Sequence, residues 1–371
     1  MATIFYGLSG EGRGHATRAR TIVEGLRKRH KVVVFAPDLA YALLEPVFRE
    51  TDVRVERIPG MQFAYNRRGH VRLLGTLTSN LSYLRRMGER ATDLLQHFER
   101  YKPDLVVADF EPLLPRAARL CGVPFLSFDH QHYLVVNDLS SLPMPLRQKA
   151  ALAAPIVRAF YNWQVETVVS SFYRPPLKPG VQNVSQIGVL LRPELMRVRP
   201  RRDGYLLVYM RRHPAPGLFD ALTATGMPVK VYGLGERRTE GNMRFYAVDE
   251  RNFMDDLAGC EAVVSTAGNQ LVGEALYLRK PVLAIPESAN FEQAINGHFL
   301  NASGGGRCLG GRVKVRDMLS FLDDLEVFRS RIVPESVCGN RQAMDVIGRW
   351  LPPTPVTTRE LQPEREVALA V

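Results

Sequence analysis

Two stretches of the chain carry side chains whose types and spacing could do chemistry. The first runs from Gly7 to His15, GLSGEGRGH, and holds Gly7, Gly10, Gly12 and Gly14 immediately before the histidine. Glycines let backbone approach a ligand closely, and the free N–H groups at a helix start favour anions or developing negative charge. An imidazole at the mouth of such a loop can serve as a general base. The spacing is G-x-x-G-x-G-x-G-H and not the strict G-x-G-x-x-G of a dinucleotide site. The acid such a site would want, Asp38, follows Pro37. A nicotinamide cradle and a tight turn without ligand stay open as alternatives. The second stretch runs from Ser265 to Asn296. Ser265, Thr266 and Gly268 follow an apolar segment, with Asn269 placed as a helix N-cap, where backbone amides could hold a diphosphate. Glu274 falls just over one turn into that helix, and its carboxylate could accept two hydrogen bonds from ribose hydroxyls. Glu292, Gln293 and Asn296 open a later helix, with groups suited to sugar hydroxyls. Each of these polar residues taken alone also fits a solvated helix face.

Two further segments, ADFEP and SFDHQH, place Asp109, Glu111, Asp129, His130 and His132 after apolar runs. They could orient His15 or touch an acceptor. A metal set would need ligands that converge in space, and no D-x-D motif occurs.

The elements that must position these residues follow from the hydrophobic pattern. ATIFYGLS reads as a buried strand. Ala19, Ile22, Val23 and Leu26 recur at helical spacing in the segment that follows. HKVVVFAP, VRVERIP, PDLVVADF, PFLSFDH and ETVVSSF repeat the strand theme, alternating with helical stretches, among them a long helix expected within 71–101 and another near 145–165. Short apolar strands alternating with amphipathic helices imply βαβ units and a parallel sheet. Proline-rich, basic sequence near 174–203 reads as a connector. A second alternation then runs from YLLVYM through EAVVSTA and KPVLAIP, with NASGGG read as a helix C-cap and turn. The expectation is two Rossmann-like domains facing a cleft, residues 1–180 and 181–350, with the last helix crossing back and 351–371 a disordered tail. Ligands sit at the carboxyl ends of strands in open parallel sheets, so both chemical stretches fall on the cleft.

Composition bounds the rest. The net charge is +11, of which residues 1–185 carry +9 (25 Lys/Arg less 16 Asp/Glu). That field suits an anionic partner. The segment 60–90 mixes aromatics with Arg67, Arg68, Arg72, Arg85, Arg86 and Arg90, which suits a phosphate-bearing acceptor or an anionic membrane surface. No nucleic-acid recognition motif accompanies it. The four cysteines are dispersed without a C-x-x-C pair, consistent with a reduced cytosolic setting and against a zinc knuckle. No secretory leader and no apolar run long enough to span a bilayer is expected.

Both chemical stretches resemble the GT-B glycosyltransferases, in particular the MurG-like family. That family opens on a Gly-rich loop ending in Gly-His and carries, in its C-terminal domain, a pattern close to S-x-x-G-x-x-x-x-x-E-A-x-x-x-x-x-P-x-L-x-I-P followed by E-Q-x-x-N. Here that pattern spans Ser265 to Asn296. The resemblance implies His15 as the general-base or acceptor-orienting histidine, and Asp109, read from its own loop as an orienting partner, joins it in the catalytic group. It implies Glu274 on the donor ribose, Glu292 and Gln293 on the donor sugar, and Gly268 by the diphosphate. Phe253 and Met254 would lie in the segment that reads a uracil ring. Gly12, Gly14, Ser265, Thr266 and Asn269 complete the donor set. Relatives also carry a Gly-rich loop where this chain has VYMRRHPAP; either Arg211 and Arg212 replace amide donors with cations, or the diphosphate is gripped less tightly. The implied reaction is inverting, metal-independent sugar transfer from a UDP-sugar to an acceptor hydroxyl, without a cofactor, at a lipid-linked or small-molecule acceptor. The expected location is cytoplasmic or peripheral on the inner membrane face. A sugar-nucleotide epimerase and an inert sugar-nucleotide-binding protein remain the alternatives.

Overall fold

The computed structural model describes residues 1–10, 13–61, 80–210, 213–288 and 290–353. Gly12, Arg67, Arg68, Arg72, Arg211, Arg212 and the tail from residue 354 lie outside the described residues.

Strand β1 (Thr3–Leu8) shows why a parallel sheet forms. Ile4, Tyr6 and Leu8 join one apolar cluster with Ala19, Ile22 and Val23 of the helix Arg13–Leu26, and Phe5 joins another with Phe35 and Phe98. Successive side chains alternate faces, so a strand apolar at every position must be covered on both sides. With β2 (Lys31–Ala36), β3 (Arg54–Arg57), β4 (Leu105–Asp109), β5 (Phe125–Asp129), β6 (Glu166–Ser170) and β7 (Val184–Ile187) it makes a parallel sheet ordered β3-β2-β1-β4-β5-β6-β7. A second parallel sheet is ordered β10-β9-β8-β11-β12-β13. Its strands are β8 (Leu206–Tyr209), β9 (Val229–Tyr232), β10 (Met243–Tyr246), β11 (Ala262–Ser265), β12 (Val282–Ala284) and β13 (Gly306–Cys308). In each sheet the order reverses beside one strand pair, β1 and β4 in the first, β8 and β11 in the second. The crevices at those reversals are where a sheet of this kind holds ligands.

Three expectations change. The segment near 174–203 is not a plain connector: β7 pairs with β6, so the first unit runs past the expected boundary at 180. Gly304, with φ 69°, caps the helix Phe291–Ser303 as the glycine-rich run suggests, but the same run then enters β13. Gly306 has no Cβ and so fits against the Val282 carbonyl, a pairing too short for a pattern to reveal. The long helix expected within 71–101 is broken in its described part into Leu81–Arg85, Met87–Asp93 and Leu95–Tyr101. The Leu94 and His97 N–H groups bond three residues back, to Ala91 and Leu94, which tightens the turn and redirects the axis.

The units are joined by more than chain. The helix Asn340–Arg349 puts Ala343, Val346 and Ile347 into the first unit's core, and Arg349 and Trp350 both donate to the Glu166 carboxylate at 2.8 Å. A further apolar cluster includes Tyr133, Val169 and Val189 from the first unit and Val263, Val272 and Ala275 from the second.

Candidate active site

His15 lies in the first turn of Arg13–Leu26, and Asp109 ends β4, directly opposite Leu8 at the end of β1. This register brings their side chains together across the sheet reversal. His15 Nδ1 sits 2.7 Å from Asp109 Oδ1. Arg18, one turn further along the same helix, donates from Nε to Oδ2 at 2.8 Å and from Nη2 to Oδ1 at 2.5 Å. The Tyr6 hydroxyl reaches Oδ2 at 3.5 Å. Asp109 is wholly buried. Burial opposes its charge, but Arg18 and His15 outweigh it and hold the carboxyl below its ordinary value. Burial likewise works against the Arg18 charge, and Asp109 more than restores it. A carboxylate beside Nδ1 takes the Nδ1 proton as its hydrogen bond and leaves the basic lone pair on Nε2.

Arg18 was not singled out in the sequence. Its signal was there: it lies at i+3 from His15 and i−4 from Ile22, a cation on the stripe that faces the core, which demands a buried partner.

The other acidic loop builds a second pair. His132 Nδ1 is 2.7 Å from Asp129 Oδ2, and its backbone N–H donates to Oδ1 at 2.8 Å. Ser127 and Tyr161 hydroxyls also donate to Asp129 Oδ2. Burial opposes the Asp129 charge, and His132 pulls its carboxyl down to about 2. Glu111 turns out to serve the chain itself, accepting from the Leu113 and Leu114 N–H groups at the start of Leu113–Leu120. Burial pushes it up to about 7 against those two bonds. Among the described residues no cluster of three or more His, Cys, Asp and Glu is placed to hold a metal.

His130 reaches across to the second unit. Its Nε2 lies 3.2 Å from Asn296 Oδ1 and 4.0 Å from Glu292 Oε1. Asn296 also accepts from the Tyr173 hydroxyl at 2.9 Å and donates to the Ala267 carbonyl at 2.9 Å. The last bond fixes the amide orientation, so His130 carries its proton on Nε2. Its Nδ1 is then a buried acceptor with no partner among the described residues, as is His132 Nε2. Burial lowers the His130 imidazole's affinity for a second proton, against the pull of Glu292.

The expected donor residues divide. Ser265 and Thr266 are buried at the end of β11, and Ala267 follows in a left-handed turn with φ 63°. Phe110 makes the matching turn after β4 with φ 54°. Such conformations are strained for residues with a Cβ and here mark the two sheet reversals. Gly268, and not Asn269, is the N-cap of Asn269–Tyr277; a Cβ on Gly268 or Gly14 would meet open space. Asn269 is corrected from cap to bridge. It donates to the Ser170 carbonyl at 3.1 Å and accepts from Ser171 Oγ at 3.2 Å and Phe172 N–H at 3.3 Å, because the first unit lies against it. Glu274 is buried and accepts from Arg192 at 3.1 Å and Gln270 at 3.0 Å. Glu292 is partly exposed in the first turn of Phe291–Ser303. Gln293 folds back to accept from the Glu287 N–H at 2.8 Å. Phe253 and Met254 are buried in the helix Glu250–Gly259, and the Phe253 N–H is spent on the Asp249 carbonyl. That N–H is therefore not offered to a base.

Beside the glycine loop an opening is lined by Gly10, Pro37, Met61, Tyr83, Phe110 and Phe160, with Glu111 among its walls. Its lining is mostly apolar, and the Phe110 and Phe160 rings stack at 4.6 Å.

Comparison with known proteins agrees with this architecture. An uncharacterised glycosyltransferase of Methanosarcina mazei is 22% identical over 330 residues, covering 81% of this chain and 84% of that protein. Among solved structures, UGT2 of Phytolacca americana, complexed with UDP-2-fluoro-glucose and pterostilbene, superposes with a TM-score of 0.68 at 14% identity, covering 94% of this chain and all of that one. MurG of Acinetobacter baumannii gives 0.59 at 13% identity, covering 94% and 100%. At such identities these structures carry the fold, and the narrower likeness to MurG goes no further than that. Residues 2–326 match the family described as Glycosyl transferase family 1. The chain belongs to that family and is a glycosyltransferase of GT-B fold.

Proposed function

We propose that the chain moves a sugar from a UDP-sugar to an acceptor hydroxyl by a single, inverting displacement that needs no metal. The observation that carries this reading is His15 Nδ1 held at 2.7 Å by the buried, ionised Asp109. His15 Nε2 takes the acceptor proton as the hydroxyl oxygen attacks the anomeric carbon from the side opposite the departing diphosphate. Asp109 keeps the imidazole in the reactive tautomer and orientation, and Arg18 holds the carboxylate in place and ionised. The diphosphate gathers charge near the open N-terminus at Gly268, where amides and the helix dipole favour it. Glu274 offers ribose the second lone pair of each of its oxygens. Glu292, partly exposed in the first turn of its helix, faces the donor's hydroxyls. The apolar opening beside Phe110 and Phe160 takes the body of the acceptor.

A panel of UDP-sugars with and without acceptors, in the presence of a chelator, tests the reading. Transfer predicts UDP release that depends on acceptor, and a product of opposite anomeric configuration by NMR. A second nucleotide sugar as the only product would make the protein an epimerase, and binding without turnover would make it an inert sugar-nucleotide binder.

A further inference from the structure

The helix Met144–Phe160 has an outward face that the active site does not use. Met144, Leu152 and Ile156 are 54%, 76% and 56% exposed, an unusual concentration of bare apolar side chains on one helix. The inward face is accounted for by Ala150, Val157 and Phe160, which are buried. At 3.6 residues per turn Met144, Gln148, Leu152, Pro155 and Ile156 share the outward stripe, which is apolar save for Gln148. Arg147 and Arg158 fall along one edge of it and Lys149 along the other. No Asp or Glu occurs between Asp138 and Glu166. An apolar stripe edged on both sides by cations, with Asp138 near Arg147 the acid that partly offsets them, is the pattern of a helix lying in the plane of a membrane surface. Among the described residues no helix is long and apolar enough to cross a membrane, so attachment through this helix would be peripheral.

The position of the helix matters as much as its face. It packs against Phe291–Ser303 of the second unit, and its last residue, Phe160, is a wall of the apolar opening beside the glycine loop. The arginine segment suggested by sequence is less suited to the task in its described part. Arg86 is paired with Glu89 at 2.8 Å, and Arg90 is stacked over Tyr83.

We propose that Met144–Phe160 docks the protein on an anionic lipid bilayer, with Leu152 and Ile156 in the headgroup–acyl boundary and Arg147, Lys149 and Arg158 on lipid phosphates. This deepens the reading of the first-unit cleft as the acceptor side, and rests on it: docking brings the mouth beside Phe160 to the layer where a lipid-borne acceptor resides.

Co-sedimentation with vesicles tests it. The full chain should bind vesicles of phosphatidylcholine with phosphatidylglycerol at low salt, leave them at ~0.5 M salt, and ignore phosphatidylcholine alone. The double variant Leu152→Glu/Ile156→Glu should partition roughly tenfold less. The triple variant Arg147→Gln/Lys149→Gln/Arg158→Gln should lose the salt dependence. Both should keep the wild-type melting temperature and UDP affinity by calorimetry. Absence of binding to the anionic vesicles, equal binding to neutral ones, or unchanged binding by the double variant overturns the proposal. So does a wild-type dimer that the double variant abolishes without any vesicle binding, which would assign the face to a second copy. If the vesicle results hold and UDP does not bind, docking stands and the UDP-sugar reading falls.

Discussion

Replacing Asp109 by Asn separates catalysis from folding at one position. The substitution keeps volume and shape but removes the charge that compensates Arg18, whose side chain is buried with it. Breaking one partner out of a buried pair costs about 3–5 kcal/mol, and the retained amide oxygen should hold the loss to the lower end. The catalytic effect has a different origin. Both carboxylate oxygens receive N–H donors, Oδ1 from His15 and Arg18 and Oδ2 from Arg18. An amide presents one oxygen and one NH2, so at least one donor meets another donor. If the NH2 takes the Oδ1 place, it donates to His15 Nδ1 and forces the proton onto Nε2, where no base remains. Turnover should fall about 10²–10⁴-fold with UDP affinity unchanged, the upper figure being that of a wrong tautomer in a related arrangement. The assays are steady-state UDP release and calorimetry with UDP. Because His15 and Asp109 act as a unit, His15→Ala and the double variant should be about equally slow. Losses that multiply, or an Asp109→Asn protein as active as wild type, would refute the dyad. The pH sign follows from the depressed folded value. The stability Asp109 contributes is present above its unfolded value near 4 and is lost as pH falls through the folded one, so the variant and wild type should converge in strong acid.

Other outcomes follow from the same geometry. Glu274→Gln should weaken UDP binding by about 1.5–3 kcal/mol, read by calorimetry; unchanged affinity in a folded protein would leave Glu274 only its role in holding Arg192. Asn296→Ala removes the bonds to His130, Tyr173 and Ala267, and should cost about 2–3 kcal/mol and separate the denaturant transitions of the two units; one unchanged transition would mean that the apolar contact alone couples them. Glu111 has a folded value of about 7, raised by burial, so it contributes stability that is full below about 4.5 and is lost as pH rises through 7. Glu111→Gln should therefore flatten the fall in melting temperature between pH 5 and 8, and an identical slope in both proteins would sink that assignment.

The sequence by itself determined the sheets and the place of the site. Runs such as IFYGL, VVVFA and AVV carry no polar position but Tyr6, and a strand covered on both faces satisfies that, so the βαβ alternation and the parallel sheets are legible in the pattern. Because ligands gather where strands end, the sequence itself assigns His15, Asp109 and Ser265 to the cleft. What tertiary structure decided was which polar group answers which. Asp109 is 94 residues from His15 and 91 from Arg18, and no local spacing reports that β4 lies beside β1. Asn269 has the residue type of a helix cap, yet it bridges to Ser170 and Ser171, because the approach of the other unit supplies it with better partners. Glu111 and Asp109 read alike in ADFEP. The left-handed turn at Phe110 sends one to the helix that follows and leaves the other facing His15. The exposure of Leu152 and Ile156 was likewise hidden, since a helical apolar pattern does not say which stripe is covered. Hydrophobic periodicity is a property of neighbours in the chain, whereas hydrogen-bond satisfaction and burial are settled only when distant segments meet.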